Sequence, residues 1–490
     1  MQVNSLVDTV HDVQDLLWVD KVAGALQTGR LCPWVSTFHP DKLPCQVDGS
    51  FYNGAYNAGL KVVFSDGTAW MVRFPRGGMV STEHADEKVA MEVTALTLIR
   101  DKTTIPVPKV QAWGLAASNL LGLGPFIMMD FIEGVSLSKI LNDPTAEKPT
   151  RLMREDISDK DIILTGLAVC HGRGAEAQSP VRPLTYKAHN ILHVGGVDTF
   201  GDRSQGFATT TEYFQHVFGQ DWKQLVQQPN SVFGLYDGKN NYKEFKRLQV
   251  LIPDLVNAKY NSCKFKLICD DLGLANLIVR SEEDLTVVGV VDLEWSYIGP
   301  AQLFGSPWWL LQDRPINPEW DCHLGDDPPK MAPRYFKYLE IFLRILEEEE
   351  AKMPGNEERE LSSLIKWSQD SGAMWLHMIL SNGFNDHRTF PFTHLRQHFG
   401  DDAWVKRTVD FSNSEEPEAF AVQKLSELDK HDKAVDKLEA DKALVDSGDM
   451  KKEDFIARYL VDSDLTSLCS PFAVKTEIKN DEVLSEEVAV

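Results

Sequence analysis

Cys269-Asp270-Asp271-Leu272-Gly273-Leu274-Ala275-Asn276, followed by Val287-Val288-Gly289-Val290-Val291-Asp292-Leu293-Glu294, is the stretch on which the fold turns. It sets an Asp, an Asn five residues on, and a second Asp beyond two short apolar runs. Those runs, Leu277-Ile278-Val279 and Val287 to Val291, flank the polar turn Ser281-Glu282-Glu283-Asp284 and predict two buried strands of a hairpin. A hairpin returns the chain to its starting end, so Asn276, ahead of the first strand, and Asp292, behind the second, are expected beside Asp271. One carboxylate to align an acceptor hydroxyl and take its proton, with an Asn and a second Asp holding Mg²⁺ on nucleotide phosphates, makes a phosphoryl-transfer site. The same residues also read as an ordinary turn and a strand end, because Asp and Asn are common in loops.

Towards the N-terminus the period changes twice. Val7 to Leu26 predicts a helix with Val10, Val13, Leu16 and Leu17 near one face. Gly49-Ser50-Phe51-Tyr52-Asn53-Gly54 is a turn of small and polar residues; Leu60–Phe64, the tight turn Ser65-Asp66-Gly67-Thr68, and Ala69–Phe74 read as strand, turn and strand. A helix over Thr82–Arg100 carries Val89, Val93, Leu96 and Ile99 at helical spacing, and Pro106 and Pro108 exclude its continuation. Lys109–Trp113 and Phe126–Ile132 supply two more strands, stopping at Glu133-Gly134. The sum is a small antiparallel sheet carrying one helix. Arg73, near the end of the second strand, is placed to reach nucleotide phosphates, and Glu92 on the following helix to pair with it.

Beyond Ser136 the pattern is helical apart from the hairpin between Asp271 and Asp292. Phe214, Phe218, Trp222 and Phe233 sit at helical spacing and are expected to serve packing. Trp308 and Trp309 are candidates for an acceptor pocket or, more simply, for packing between lobes. After Pro417, Lys alternates with acids while Leu425, Leu428, Val435 and Leu438 recur near helical spacing, which predicts a salt-bridged helix docked on the body. A protein partner for this segment is unknown. The residues from Ile478 are expected to be frayed. The resulting expectation is an N-terminal lobe over 1–134, a helical lobe with the catalytic hairpin over 135–411, and a charged appendage with a tail over 412–490.

Several functions are disfavoured by composition. The formal charge of −23 argues against a nucleic-acid groove, which needs a basic face. Apolar and charged fractions of 43% and 25% are those of a globular protein with a sizeable core. Seven scattered cysteines, with no C-x-x-C pair, fit reduced thiols in a cytoplasmic protein. No apolar run is long enough to cross a bilayer, and the acidic start, with Asp8, Asp12 and Asp15, does not resemble a secretory signal. Neither a Walker-type loop nor a G-x-S-x-G elbow is present. Gly172–Ala177 matches a dinucleotide-binding pattern only loosely, and the adjacent Cys170-His171 gives little support for a cysteine nucleophile.

The order Arg73, Glu92, Asp271, Asn276, Asp292 resembles the aminoglycoside phosphotransferase and choline kinase superfamily, small-molecule relatives of the protein kinases, and looks most like its large fungal branch. The resemblance spans roughly Gly49 to Pro307 and is most specific at Trp70-Met71-Val72-Arg73-Phe74-Pro75 and from Asp271-Leu272 through Asp292-Leu293-Glu294. It implies an α+β, bilobed, protein-kinase-like fold with a small antiparallel-sheet N-lobe and a larger, mostly helical C-lobe. It also implies an ATP- and Mg²⁺-dependent kinase acting on a hydroxyl of a small-molecule substrate. Asp271 would be the catalytic base, Asn276 and Asp292 the Mg²⁺ ligands, and Arg73 the phosphate contact with Glu92 as its partner. Ser50 and Asn53 would belong to the nucleotide turn, and Met129 to Phe131 to a hinge meeting adenine through its backbone.

Two positions depart from the family's pattern. Arg73 stands in place of its Lys, and Cys269 in place of the His that braces its catalytic loop. A nucleotide-binding pseudokinase acting as a scaffold is therefore an alternative reading, and a structural protein with a chance motif is another.

Overall fold

The computed structural model describes residues 3–146, 152–154, 156, 182–262, 265–311, 314–315, 317–320, 331–353, 358–383, 386–406 and 415–461. Cys170-His171, Gly172–Ala177 and the tail from Ile478 lie outside them. Eleven described strands are β1 (Cys45–Val47), β2 (Tyr52–Asn53), β3 (Asn57–Phe64), β4 (Ala69–Pro75), β5 (Val110–Gly114), β6 (Phe126–Asp130), β7 (Val135–Ser136), β8 (Lys266–Cys269), β9 (Leu277–Val279), β10 (Val287–Val290) and β11 (Ser296–Gly299).

Alternation in β3 and β4 decides how the N-terminal sheet is covered. Ala58, Leu60, Val62 and Phe64, with Trp70, Val72 and Phe74, point to one face and bury against Trp18, Val22, Leu31 and Trp34. Residues of opposite parity in β4, Met71 and Arg73, take the other face, where Ile127 and Met129 of β6 join Val89 and Leu96 of the Ala85–Lys102 helix in the larger core. The strand order is β1-β3-β4-β6-β5 with β2 on β3, all antiparallel, and Gly67 takes a positive φ of 88° in the β3–β4 turn. The buried stripe of the Ala85–Lys102 helix runs Ala85, Lys88, Val89, Glu92, Ala95, Leu96, Ile99. Two charges therefore lie on a stripe that helical periodicity reserves for apolar residues.

The link out of this sheet passes through Gly134, whose φ of 151° and approach to the Val279 carbonyl leave no room for a Cβ. It leads into β7, which joins β9 and β10 in a three-stranded sheet, so the expected hairpin forms and gains a third strand from the lobe boundary. A second ladder, β8 with β11, was not legible as strand pairing; it sets Cys269 opposite Ser296. The larger lobe is mainly helix: Thr210–Gln227, Leu235–Leu251, Met331–Lys352, Glu360–Ser371, Ala373–Asn382 and Phe390–Phe399. The molecule is thus α+β, a small antiparallel-sheet lobe and a larger, mainly helical lobe.

Some packing expectations change. Phe214 and Phe218 are buried and Trp222 packs against the same core, but Phe233 lies between helices and is 67% exposed. Leu16 is also exposed, because the Ser5–Gln27 helix serves two surfaces. Trp18 and Val22 meet the sheet, while Leu6, Val10 and Val13 meet Leu438 and Phe455. These last belong to the Glu416–Ser447 and Lys452–Val461 helices, so the two ends of the described chain pack together. The charged Glu416–Ser447 helix docks through Ala421, closely against Gly238, and through buried Lys424. The Lys424 ammonium donates to the carbonyls of Val226 (3.2 Å) and Gln228 (2.6 Å), which lie at the C-terminus of the Thr210–Gln227 helix where a cation is favoured. No described helix is long and apolar enough to cross a membrane.

Candidate active site

Arg73 enters the site because β4 parity turns it towards the Ala85–Lys102 helix, where Glu92 occupies the buried stripe. One guanidinium nitrogen donates to Glu92 at 2.8 Å and another to Asp292 at 2.6 Å, with Glu294 at 3.7 Å. Burial opposes the charge on Arg73, but Asp292, Glu92 and Glu294 outweigh it and raise its pKa. Burial pushes Glu92 the other way, up to about 7, against the pull of Arg73. Deeper still, Lys88 donates to Glu294 and, at 3.2 Å, to Asn57, whose amide also donates to Glu294. Lys88, Asn57 and Glu294 were not singled out from sequence. Lys88 and Glu92 stand four residues apart on one helix face, which was the available signal.

The hairpin delivers its ends as expected. Asp271, Asp292 and Glu294 each present a carboxylate oxygen within 4.8 Å of the others. Asn276 donates from Nδ2 to the Asp271 carbonyl at 2.7 Å. Asp292 takes a positive φ of 62°, a conformation that costs a non-glycine residue roughly 1–3 kcal/mol and collects at functional sites. Asp292 and Asp271 keep 34% and 31% of their side-chain surface open, whereas Glu294 keeps 3%. The first two are therefore open to solvent, and Glu294 is buried beside them on Lys88. Hard oxygen donors of this kind suit Mg²⁺, and the charges present fit a further cation: among the described residues Glu92, Asp271, Asp292 and Glu294 pair with Arg73, Lys88 and Arg314.

Arg314 was also missed. It donates to Asp271 at 2.6 Å and to Asn382 at 3.1 Å, and its guanidinium lies 3.3 Å from the Tyr186 ring centroid and 5.4 Å from that of Trp308. Trp308 thus borders the Asp271 side, while Trp309 is buried against Phe342. Burial pushes the Asp271 carboxyl up to about 6, with Arg314 pulling it down and Asp292 and Glu294 pushing further up. The neighbouring Asp270 is pushed up to about 7, again by burial first, and accepts from the Tyr297 hydroxyl at 3.1 Å. Its backbone N–H donates to the Trp295 carbonyl at 3.1 Å. Together with the β8–β11 ladder, these bonds brace the loop that Cys269 was expected to leave unbraced. The Cys269 thiol itself, pushed up to about 11 by burial, accepts from Ser296 at 3.2 Å and stays protonated.

Other expected nucleotide contacts are placed differently. Ser50, ahead of β2, and Asn53, in β2 opposite Ala58, are exposed, and it is Asn57 that reaches the ion cluster. Met129 is buried in β6 opposite Met71. The N–H groups of Asp130 and Phe131 donate to Lys109 and Ala69 at 3.0 and 3.1 Å. Sheet pairing thus takes up the donors expected to meet adenine at 130 and 131, and the link proper begins at Ile132.

No protein-family model and no curated sequence matches the chain. Among solved structures it is similar to a macrolide 2'-phosphotransferase type I, at 13% identity and a TM-score of 0.33, covering 70% of this chain and 91% of that one. It is similar to macrolide 2'-phosphotransferase MphH from Brachybacterium faecium at 11% identity and a TM-score of 0.30, covering 76% and 93%. It is also similar to a microcompartment-associated aminopropanol kinase at 14% identity and a TM-score of 0.36, covering 79% and 94%. These are distant likenesses in the course of the chain.

Proposed function

We propose that this protein is an ATP-dependent phosphotransferase acting on a hydroxyl of a small molecule, of the aminoglycoside phosphotransferase and choline kinase type and of the fungal branch its sequence resembles. The observation that carries the reading is the meeting of Asp271 and Asp292 with the Arg73–Glu92 pair in one cluster, from four separate segments of the chain. Arg73 is fixed by two carboxylates, so it offers the nucleotide phosphates a preorganised positive charge. Asn276 and Asp292 would hold Mg²⁺, which when bound neutralises phosphate charge. Asp271 aligns the acceptor hydroxyl and takes its proton. Arg314 keeps Asp271 ionised against the burial that would protonate it. The acidic chain favours no nucleic-acid partner. Retention of Asp271, Asn276 and Asp292 in one site speaks for turnover over a silent scaffold.

The test is Mg²⁺-dependent ATP consumption across hydroxylated amines, sugars and extracted metabolites, beside Asp271→Ala and a nucleotide-binding assay. Acceptor-dependent turnover that vanishes in the variant is expected. Failure of the wild-type chain to bind any nucleotide would sink the reading.

A further inference from the structure

The segment that follows β4 lies directly on the first helix. A Cβ at Gly77 would come within 2.9 Å of the Trp18 side chain, and one at Gly78, where φ is 86°, would collide with the His11 carbonyl and the Asp15 backbone nitrogen. That approach sets Arg76 against Asp15, an acid only 7% exposed in the middle of the Ser5–Gln27 helix. The Arg76 guanidinium donates from Nε to one Asp15 oxygen at 3.1 Å, from Nη2 to the other, and from Nη1 to the Gly54 carbonyl at 3.0 Å. Its backbone N–H donates to the Tyr56 carbonyl at 2.9 Å. One residue thus holds both ends of the 54–56 turn between β2 and β3. Gly54 closes the turn by donating to the Asn57 carbonyl at 2.9 Å, and the Asn57 side chain bonds Glu294 and Lys88 in the candidate site. A guanidinium forked onto a carboxylate has its remaining donor fixed in direction, which a lysine ammonium cannot reproduce.

We propose that Asp15 and Arg76 are positioning residues of the candidate active site. Asp15 orients the Arg76 fork, Arg76 holds the turn, and the turn presents Asn57 to Glu294 and Lys88. The first helix, which also packs on the C-terminal helices, is thereby part of the support of the nucleotide side. The consequence for nucleotide rests on the phosphotransferase reading, whereas the hold on the turn does not.

The experiment begins with amide hydrogen exchange of the full chain without nucleotide. Arg76→Lys and Asp15→Asn should each speed exchange at Gly54 roughly tenfold, the worth of one charge-assisted hydrogen bond, while amides of the β3–β4 ladder keep wild-type rates. Asp20→Asn, which removes the exposed pair between the same helix and Lys452, should leave the turn as it is. Kinetics on the same proteins should show the KM for MgATP raised about three- to tenfold with kcat within about twofold. Unchanged exchange at Gly54 in the folded variants, a rise shared equally by the β3–β4 ladder, the same rise in Asp20→Asn, or a fall in kcat with KM unmoved overturns the proposal. A loosened turn in the variants of a chain whose wild type binds no nucleotide sinks the phosphotransferase reading and leaves the hold on the turn established.

Discussion

Two groups of charges leave water in this molecule, and they are built differently. Lys187 and Asp221 join the Tyr186–Gly195 and Thr210–Gln227 helices through one 2.5 Å contact, at side-chain exposures of 2% and 0%. Both are closed off from solvent, and Lys187 feels the Asp270 carboxylate as well. Around Arg73, by contrast, Glu92, Asp271, Asp292 and Glu294 meet Arg73, Lys88 and Arg314, and two of the acids remain about a third open. The pair can fasten helices but no ligand can reach it. The cluster shares its charges among several partners and has a strained Asp292 and an opening, so it can take up a cation and a phosphate chain. Access to shared charges, and not burial, separates a site from a fastening.

Substitutions can break that contrast. Asp271→Ala should cost the most turnover, roughly 10³-fold, because a positioned base contributes about 10²–10⁴-fold; kinetics beside calorimetry on the same sample check that the loss is seen in folded protein. Asp221→Asn should do the reverse. Leaving Lys187 buried without its anion costs about 3–5 kcal/mol of stability, while the turnover of each folded molecule stays at the wild-type level. Urea unfolding paired with activity per active site would refute the contrast if turnover fell instead.

Arg73→Lys sharpens it by keeping the charge and losing the fork between Glu92 and Asp292. MgATP affinity should fall roughly tenfold, about 1.4 kcal/mol, measured by fluorescent-nucleotide displacement. The smallest effect concerns His11, stacked on His193 with ring centroids 4.3 Å apart and pushed down to about 3 by burial and that neighbour. Its folded pKa lies below its unfolded value of about 6.5, so the unfolded chain binds more protons between about pH 6.5 and 3, and stability falls as pH drops through that window. The contribution is at most about 1.4 kcal/mol per pH unit, and His11→Phe should flatten the slope in urea titrations from pH 7 to 5.

The hairpin and its flanking residues were legible because a period of two and a polar turn are local signals, and Asn276 and Asp292 inherit their places from it. The β3–turn–β4 unit was legible for the same reason, and with it Arg73 and Glu92. Lys88 was not. A lysine on a helix reads as a solvated charge until Glu294, 206 positions away, is known to face it. Arg314 was hidden likewise, in a stretch of the chain that carries no periodic pattern. The brace around Cys269 depends on β11, whose four residues Ser296–Gly299 acquire strand character by pairing with β8.

By itself, then, the sequence determined the sheet with its single helix, the hairpin, and the order of Arg73, Glu92, Asp271, Asn276 and Asp292, because local period and turn chemistry are short-range properties of the chain. Only the tertiary structure decided which charges are shared. It set Lys88 and Asn57 on Glu294, placed Arg314 on Asp271, turned Asp292 into its left-handed conformation, and docked the C-terminal helices on the first helix. The physical reason is that a buried charge is governed by what surrounds it once water has gone, and its partners here come from segments that meet only when the chain has folded.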